Sequence, residues 1–131
     1  MPDANPMQGV IPYLSMAGRA EEACDFYIRA FGATDMGRMP FPEDESRIMH
    51  AQVGINGGCL MMTDHMNDTR APAHSGHLQL VVDDGQTWWD RAVAAGCTEI
   101  MPFERQDWGD LWGLVQDPFG LKWGIMQAEQ G

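Results

Sequence analysis

Two glycine spacings constrain the fold of this 131-residue chain more than any other feature. Gly58 and Gly120 each lie in a turn between two apolar runs and are 62 positions apart, whereas Gly32 and Gly96 each end an amphipathic stretch and are 64 positions apart. Nearly constant offsets indicate a repeated structural unit. Around each glycine the order is a short apolar run, a helix, a terminating glycine, a strand and a hairpin. We therefore predict that the chain contains one unit twice.

The repeat defines the domain organisation. Module one is predicted over residues 8–64, a linker over 65–75 and module two over 76–127. The predicted fold class is α+β, with two tandem β-α-β-β-β modules that form a curved mixed sheet around a cleft and carry their helices on the outer face. A chain of this length buries about two-thirds of its unfolded surface as one domain. Residues 1–131 are therefore expected to form a single domain.

Local patterns place the elements within each module. Val10 to Met16 is predicted as the first strand, and the proline-rich, polar segment Pro40–Ser46 as a loop. Asp83 and Asp84 are candidate N-caps of the second helix. In module two, the turn Asp117-Pro118-Phe119-Gly120 separates two apolar runs and so predicts a β-hairpin.

Charge and cysteine usage exclude several function classes. Nineteen acidic against eight basic residues give a formal charge of −11, which repels nucleic acid and acidic lipid. Cys24, Cys59 and Cys97 lie far apart without a CxxC spacing, so neither a disulfide framework nor a zinc cluster is indicated. The first residues lack the pattern of a signal peptide, and no later run has membrane-spanning length. We expect a cytoplasmic protein that binds neither nucleic acid nor membrane.

Several motifs, in their order, resemble one superfamily. They are Pro12-Tyr13-Leu14, Ala20-Glu21-Glu22-Ala23, Phe26-Tyr27, Ala30-Phe31-Gly32-Ala33, Trp108-Gly109-Asp110, Asp117-Pro118-Phe119-Gly120 and Trp123. From about Val10 to Met126 the chain resembles the PhnB-like branch of the vicinal oxygen chelate superfamily, which includes glyoxalase I, extradiol dioxygenases and bleomycin-resistance proteins. The resemblance implies paired modules around a cleft and a homodimer whose clefts are completed at the subunit interface.

The resemblance also implies where an enzyme of this superfamily would place four metal ligands. His77 occupies the slot on the first strand of module two, but the corresponding slot of module one falls on Pro12. On the last strand of a module the resemblance implies a ligand carboxylate four residues after the hairpin glycine, and these two slots fall on Met62 and Gly124. Divalent metals such as zinc need about three protein ligands at fixed geometry. We therefore expect no metal cofactor, and we interpret Met62 as core filler and not as a copper ligand. A divalent metal held by His77 with Asp64 and His50 remains an alternative if the strand registers are shifted.

Strand alternation predicts which side chains line the cleft. If His77 faces the concave side, a period of two sends Gln79, Met62 and Lys122 to the same side. Two indoles flank the second hairpin and are suited to stacking on a flat ligand. The predicted ligand-binding residues are His50, Met62, His77, Gln79, Trp108, Trp112 and Lys122.

These features predict a metal-free small-molecule-binding protein of the glyoxalase/bleomycin-resistance type. Its ligand is expected to be amphipathic or cationic, because the cleft is apolar and the chain is strongly acidic. The alternative is a vicinal-oxygen-chelate enzyme of the lyase, isomerase or dioxygenase type. Such an enzyme would use relocated metal ligands, or His77 as a general base. The expected partners are the small molecule and a second copy of the chain.

Overall fold

The computed structural model describes residues 9–64 and 76–129, so the predicted linker lies outside the described residues. Each module has the predicted order β-α-β-β-β, and the α+β fold class is confirmed. The elements of module one are β1 (Tyr13–Ser15), α1 (Ala20–Phe31), β2 (Thr34–Phe41), β3 (Asp44–Ile55) and β4 (Gly58–Thr63). Those of module two are β5 (Leu78–Val81), α2 (Gly85–Ala95), β6 (Thr98–Arg105), β7 (Leu111–Gln116) and β8 (Lys122–Gln127).

The strands form two open four-stranded sheets, ordered β1-β4-β3-β2 and β5-β8-β7-β6. In each sheet the first strand of the module runs parallel to the last, and the other pairs are antiparallel. The described residues divide into two compact units, one containing 9–28 and 32–64 and the other 29–31 and 76–129. Two copies of one topology thus account for the sequence repeat.

One face of the first sheet is buried. Val53, Leu60 and Met62 alternate with partly exposed residues along β3 and β4, and the apolar side of α1, including Tyr27, is also fully buried. Removing these apolar side chains from water is a main source of stabilisation. Gly32 ends α1 with a φ of 65°, a left-handed conformation that glycine adopts without steric cost. The other face of the sheet is left open.

The second sheet repeats this arrangement. Val115 and Ile125 are fully buried, and Trp89 of α2 stacks on Phe103 with ring centroids 5.8 Å apart. A Cβ at Gly113 would lie 2.6 Å from Cζ3 of Trp89, so only glycine allows this helix to approach the sheet so closely. Helix α2 begins as predicted at an N-cap, Asp84, whose Oδ1 accepts a hydrogen bond from Thr87 N at 3.2 Å.

Among the described residues two aspartates are buried, and each organises a chain reversal. Oδ1 of Asp64 accepts hydrogen bonds from the backbone N–H groups of Gly18 and Ala20, at 2.8 and 3.0 Å. Oδ2 of the same side chain accepts from Ile48 N at 3.2 Å. Asp64 is only 1% exposed, and its carboxylate is bound to three backbone donors, so it serves the backbone of the first unit in this structure.

Asp117 has the same role in module two. Its Oδ1 accepts from the N–H groups of Phe119 and Leu121 at 2.9 and 3.0 Å, which closes the predicted turn. Its Oδ2 accepts from Nε1 of Trp123 at 2.9 Å. The indole beyond the hairpin is therefore a core residue tied to the turn, since Trp123 is 3% exposed.

The predicted loop at Pro40–Ser46 is wrong. Strand β2 continues to Phe41, and β3 begins at Asp44, so the segment forms the tip of a long hairpin. Proline is tolerated here because β2 is an edge strand, and the β2–β3 register shifts on both sides of Pro40. The first strand is also shorter than predicted, since the ladder with β4 covers only Tyr13–Ser15.

None of the three cysteines forms a disulfide with another. Cys24 and Cys97 are buried, and burial raises the pKa of Cys24 to about 11 and that of Cys97 to about 12. These thiols are therefore protonated and unreactive at neutral pH. Among the described residues, no helix is long and apolar enough to cross a membrane.

Candidate functional site

The open face of the second sheet brings together side chains from three neighbouring strands. Gln79 of β5 is paired with Gly124 of β8, and Trp112 of β7 is paired with Met126 of β8. Residues opposite each other in a ladder project to the same face of the sheet. The alternation along β8 also places Lys122 on this face, as predicted, with an exposed side chain.

A hydrogen-bonded chain joins three of the predicted site residues. Nε1 of Trp112 donates to Oε1 of Gln79 at 3.1 Å, and Nε2 of His77 lies 2.9 Å from the same oxygen. The amide nitrogen of Gln79 contacts the thioether sulfur of Met126 at 3.6 Å. We call His77, Gln79 and Trp112 the polar triad. Its members touch one another directly on the open face.

Aromatic rings extend from the polar triad toward solvent. The imidazole of His77 and the indole of Trp112 have centroids 5.9 Å apart and are tilted by 56°. Trp108 follows, with its ring 6.4 Å from that of Trp112 and 61% of its surface exposed. An indole this exposed contributes little to the fold, so its surface is available for stacking on a flat molecule.

Gly124 explains how the polar triad closes. A Cβ at this position would lie 2.9 Å from Nε1 of Trp112 and 3.0 Å from Cδ2 of His77, and nearer still to Oε1 of Gln79. Any side chain at position 124 would therefore displace at least one of these groups. The space that a ligand carboxylate would occupy in a metal enzyme of this architecture is filled here by an amide and an indole.

The residues present do not fit the divalent metal that this architecture implies. Gly124 contributes no donor, and Nε2 of His77 is directed at Gln79. Across residues 9–64 and 76–129, no three His, Cys, Asp or Glu side chains lie close enough together to hold a metal ion. A site needing about three such ligands cannot be assembled from this donor set.

The open face of the first sheet carries a related cluster around His50. Nδ1 of His50 lies 2.8 Å from the hydroxyl oxygen of Tyr13, and its Nε2 lies 3.1 Å from Oε1 of Gln52. Both ring nitrogens of His50 are thus engaged within the first unit. The cluster borders a groove of about 260 Å³ lined by Met36, Gly37, Arg38, Met39, His50 and Gln52.

Met62 does not line the open face, contrary to the prediction. It is fully buried and paired with Ala51 on the covered face, whereas Met61 lies on the open face beside Gln52. The prediction fails because the two hairpins differ in length, so residues at equal distances from Gly58 and Gly120 do not lie on the same face. The first has a two-residue turn at 56–57, but the second has five residues, 117–121, between its paired ends.

The structure thus assembles part of the predicted set. His77, Gln79 and Trp112 are bonded together, with Trp108 adjacent. His50 lies on the open face of the other unit. Four further open-face residues were not in the predicted binding set: Tyr13, Gln52, Met61 and Met126. Alternation within each strand was the signal that pointed to them, once the correct register was known.

A further cavity, of about 320 Å³, lies at one end of β7. It is lined by Arg105, Gly109, Leu111, Gln127, Ala128 and Glu129. Nη1 of Arg105 donates to Gly109 O at 2.6 Å, and Oε1 of Gln127 accepts from Gly85 N at the start of α2. Its polar groups therefore serve the loop and the helix terminus, and none belongs to the polar triad.

Comparisons with known proteins agree with this geometry. Residues 10–125 match the family model of the glyoxalase/bleomycin resistance protein/dioxygenase superfamily. An uncharacterized protein of Mycobacterium tuberculosis is 36% identical over 117 residues, covering 82% of this chain and 68% of its own. The Escherichia coli protein YjdN is 32% identical over 141 residues, covering 91% and 95%.

Solved structures share the fold. PA1353 from Pseudomonas aeruginosa superimposes with a TM-score of 0.76 at 26% identity, covering 94% of this chain and 99% of its own. A PhnB protein from Bacillus cereus gives a TM-score of 0.72 at 23% identity, covering 92% and 100%. The chain therefore belongs to the glyoxalase/bleomycin resistance protein/dioxygenase superfamily, also called the vicinal oxygen chelate superfamily, and has a PhnB protein among its structural neighbours.

Proposed function

We propose that this protein binds an amphipathic or cationic small molecule, without a metal ion, on the open face of its second sheet. The observation that carries the proposal is the environment of Gly124, where the polar triad fills the position of a metal-binding carboxylate. Aromatic surface with a small number of polar groups beside it is typical of small-molecule sites. The superfamily membership supports a ligand-binding role of this general kind.

Two properties favour the stated ligand chemistry. Trp108 and Trp112 offer tilted aromatic surfaces, of which the outer one is 61% exposed. The formal charge of −11 attracts cations over a distance, although Lys122 on the same face adds a local positive charge. A ligand with an aromatic body and a polar or cationic substituent therefore matches the site best.

Ligand screening by intrinsic fluorescence and thermal shift tests this proposal. Cationic aromatic and glycopeptide antibiotics form the probe set, with neutral metabolites as the comparison set. We expect binding to quench indole fluorescence, and Trp108→Ala to weaken affinity about threefold to tenfold. Trp88→Ala is the matched control, because Trp88 lies on α2 and contacts Arg91 at 5.0 Å. If both variants weaken binding equally, the site is not on this face.

Metal analysis tests the second half of the proposal. Protein purified without chelators is expected to contain no stoichiometric divalent metal when measured by mass spectrometry. Binding of a cationic ligand should weaken as ionic strength rises, because exposed charges are screened over about 10 Å at 0.1 M salt. One tightly bound metal per chain would overturn the metal-free proposal directly.

A second candidate function is an enzyme in which His77 acts as a general base. The observation that favours it is that Nε2 of His77 is held by Gln79, which orients the ring and leaves Nδ1 as the nitrogen to accept a proton. The test is solvent deuterium incorporation into a bound ligand with an acidic C–H bond, followed by NMR. Incorporation that is lost in His77→Gln would support catalysis, whereas none in the wild type leaves binding as the function.

A further inference from the structure

We propose that Trp112 and Gln79 are positioning residues that lock His77 in one tautomer, and that the site therefore selects an aromatic lactam. The lactam N–H would meet Nδ1 of His77, and its carbonyl would meet the amide nitrogen of Gln79. The ligand part of this inference rests on the proposed function above. The tautomer part rests only on the hydrogen-bonded chain within the second unit.

The first step is the orientation of the Gln79 amide. The hydrogen-bond partners of a side-chain amide determine which of its two terminal atoms is the oxygen. Nε1 of Trp112 is a donor only, and it lies 3.1 Å from the Gln79 side chain. The atom facing it must therefore be the acceptor, Oε1. The indole fixes which way the amide points.

The orientation of the Gln79 amide determines which nitrogen of His77 carries the proton. Nε2 of His77 lies 2.9 Å from the same amide oxygen, which accepts and cannot donate. Nε2 therefore carries the proton, and in the neutral ring Nδ1 is the acceptor. In the described part of the chain, Nδ1 of His77 forms no hydrogen bond. The hydrogen bonds from Trp112 to Gln79 and from His77 to Gln79 thus leave Nδ1 of His77 as one acceptor of defined direction beside the indole of Trp112.

The third step concerns the remaining donor. The amide nitrogen of Gln79 has two hydrogens, and the one partner found for it among residues 9–64 and 76–129 is the Met126 thioether at 3.6 Å. Sulfur is a weak acceptor, so an amide hydrogen remains for a better one. A carbonyl oxygen is the acceptor that matches it. The site therefore offers one acceptor on His77 and one donor on Gln79, two residues further along the chain.

The aromatic rings beside His77 and Gln79 favour a flat ligand. A ligand that stacks on Trp112 or Trp108 places its in-plane N–H and C=O groups at its edge, where they can reach His77 and Gln79. A neutral lactam fused to an aromatic ring carries both groups on adjacent atoms. A carboxylate is disfavoured, because it offers no donor to Nδ1. The lactam carbostyril is the simplest probe with these features.

The lock is tested by NMR of the imidazole nitrogens in the wild-type protein at a pH where His77 is neutral. We expect one tautomer with the proton on Nε2. Trp112→Phe removes the donor that fixes the amide, so the variant should show a mixture of tautomers, whereas Trp88→Phe should not. Gln79→Glu retains an acceptor oxygen and should preserve the wild-type tautomer. A proton on Nδ1, or no response to Trp112→Phe, would overturn the lock.

The ligand class is tested by calorimetry with carbostyril and its N-methyl derivative, which lacks the donor. We expect the wild type to bind carbostyril about tenfold more tightly, the equivalent of about 1.4 kcal/mol. His77→Gln can still donate to Gln79 but has no acceptor at the Nδ1 position, so the preference should disappear. Gln79→Glu should weaken carbostyril by losing the donor to its carbonyl, although the tautomer is preserved.

The outcomes separate this inference from the proposed function. Equal affinity of the wild type for both lactams overturns recognition of the donor. If neither lactam binds but a cationic aromatic compound does, the lactam class is wrong and the proposed function stands. If no compound of any class binds, the proposed function and the ligand class both fail, and the NMR experiment still decides the tautomer lock.

Discussion

The most demanding prediction concerns Asp117, which holds three hydrogen-bond donors inside the second hairpin. Two are the backbone N–H groups of Phe119 and Leu121, and the third is Nε1 of Trp123. Asp117→Ala leaves all three donors without this acceptor in a site where the aspartate was 5% exposed. At about 1–2 kcal/mol for each orphaned donor, the free energy of unfolding should fall by roughly 3–6 kcal/mol. That is a large part of the stability of a typical domain.

Asp117→Asn separates the contribution of the two backbone hydrogen bonds from that of the hydrogen bond to Trp123. The asparagine oxygen can still accept from the two backbone groups, but its NH₂ then faces the N–H of Trp123. Two opposed donors should cost about 1–3 kcal/mol. Trp123→Phe removes the opposing donor, so the double variant should be more stable than the sum of the single changes predicts. We expect a favourable coupling of about 1 kcal/mol or more in that cycle.

Urea denaturation followed by circular dichroism measures these changes. Asp110→Ala is the control, because Asp110 is less buried and its Oδ1 accepts a backbone hydrogen bond from Glu129 N at 2.8 Å. It should cost less than about 1 kcal/mol. The reasoning is refuted if Asp117→Asn is as stable as the wild type, or if Asp117→Ala is no worse than Asp110→Ala. Near-equality would mean that the turn finds other acceptors.

Two further predictions concern the thiols and the oligomer. Burial raises the pKa of Cys24 to about 11 and of Cys97 to about 12 in the folded protein, above the ordinary value of 9.0. The contribution of the buried, neutral thiols to stability is complete below pH 9 and is lost as pH rises toward 11 and 12. Cys24→Ala should therefore flatten the decline in unfolding free energy that urea titration measures over that range. An unchanged decline would contradict this prediction. The family resemblance predicts a homodimer, so light scattering should give twice the 14.6 kDa chain mass, and a monomer at micromolar concentration would contradict it.

The order of helices and strands could be predicted from the sequence, because each element follows from a local pattern of residues. Strand β7, Leu111–Gln116, ends where the hairpin turn was predicted, because its apolar run meets a turn that the side chain of Asp117 stabilises locally. The loop predicted at Pro40–Ser46 failed because proline is excluded from central strands but not from edges. Edge position depends on strand order, which no local window reveals.

The candidate site was predictable only in part for the same reason. His77 and Gln79 share a face because they are two residues apart, which the sequence shows directly. The bond from Trp112 to Gln79 crosses β8, so it depends on the order β5-β8-β7. Met62 was misplaced because register is set by turn length, and one residue of error turns a side chain to the other face.

The environment of Gly124 yields the last prediction. The missing carboxylate and the polar triad are one structural feature, because the amide of Gln79 occupies the space that a side chain at 124 would need. Gly124→Glu therefore cannot simply restore a metal site. The new side chain must displace Gln79 or Trp112, and with His77 it supplies two conventional ligands where about three are required.

We expect Gly124→Glu to lose about 1–3 kcal/mol of stability through overpacking and to bind nickel or zinc no more tightly than the wild type in calorimetric titrations. Gly124→Ala is the matched control, because it introduces the same steric conflict without a ligand. Micromolar binding of one metal ion by Gly124→Glu alone would show that the remaining donors suffice. In that case the absence of a side chain at Gly124, and not the presence of the polar triad, would be what separates this protein from the metal enzymes of its superfamily.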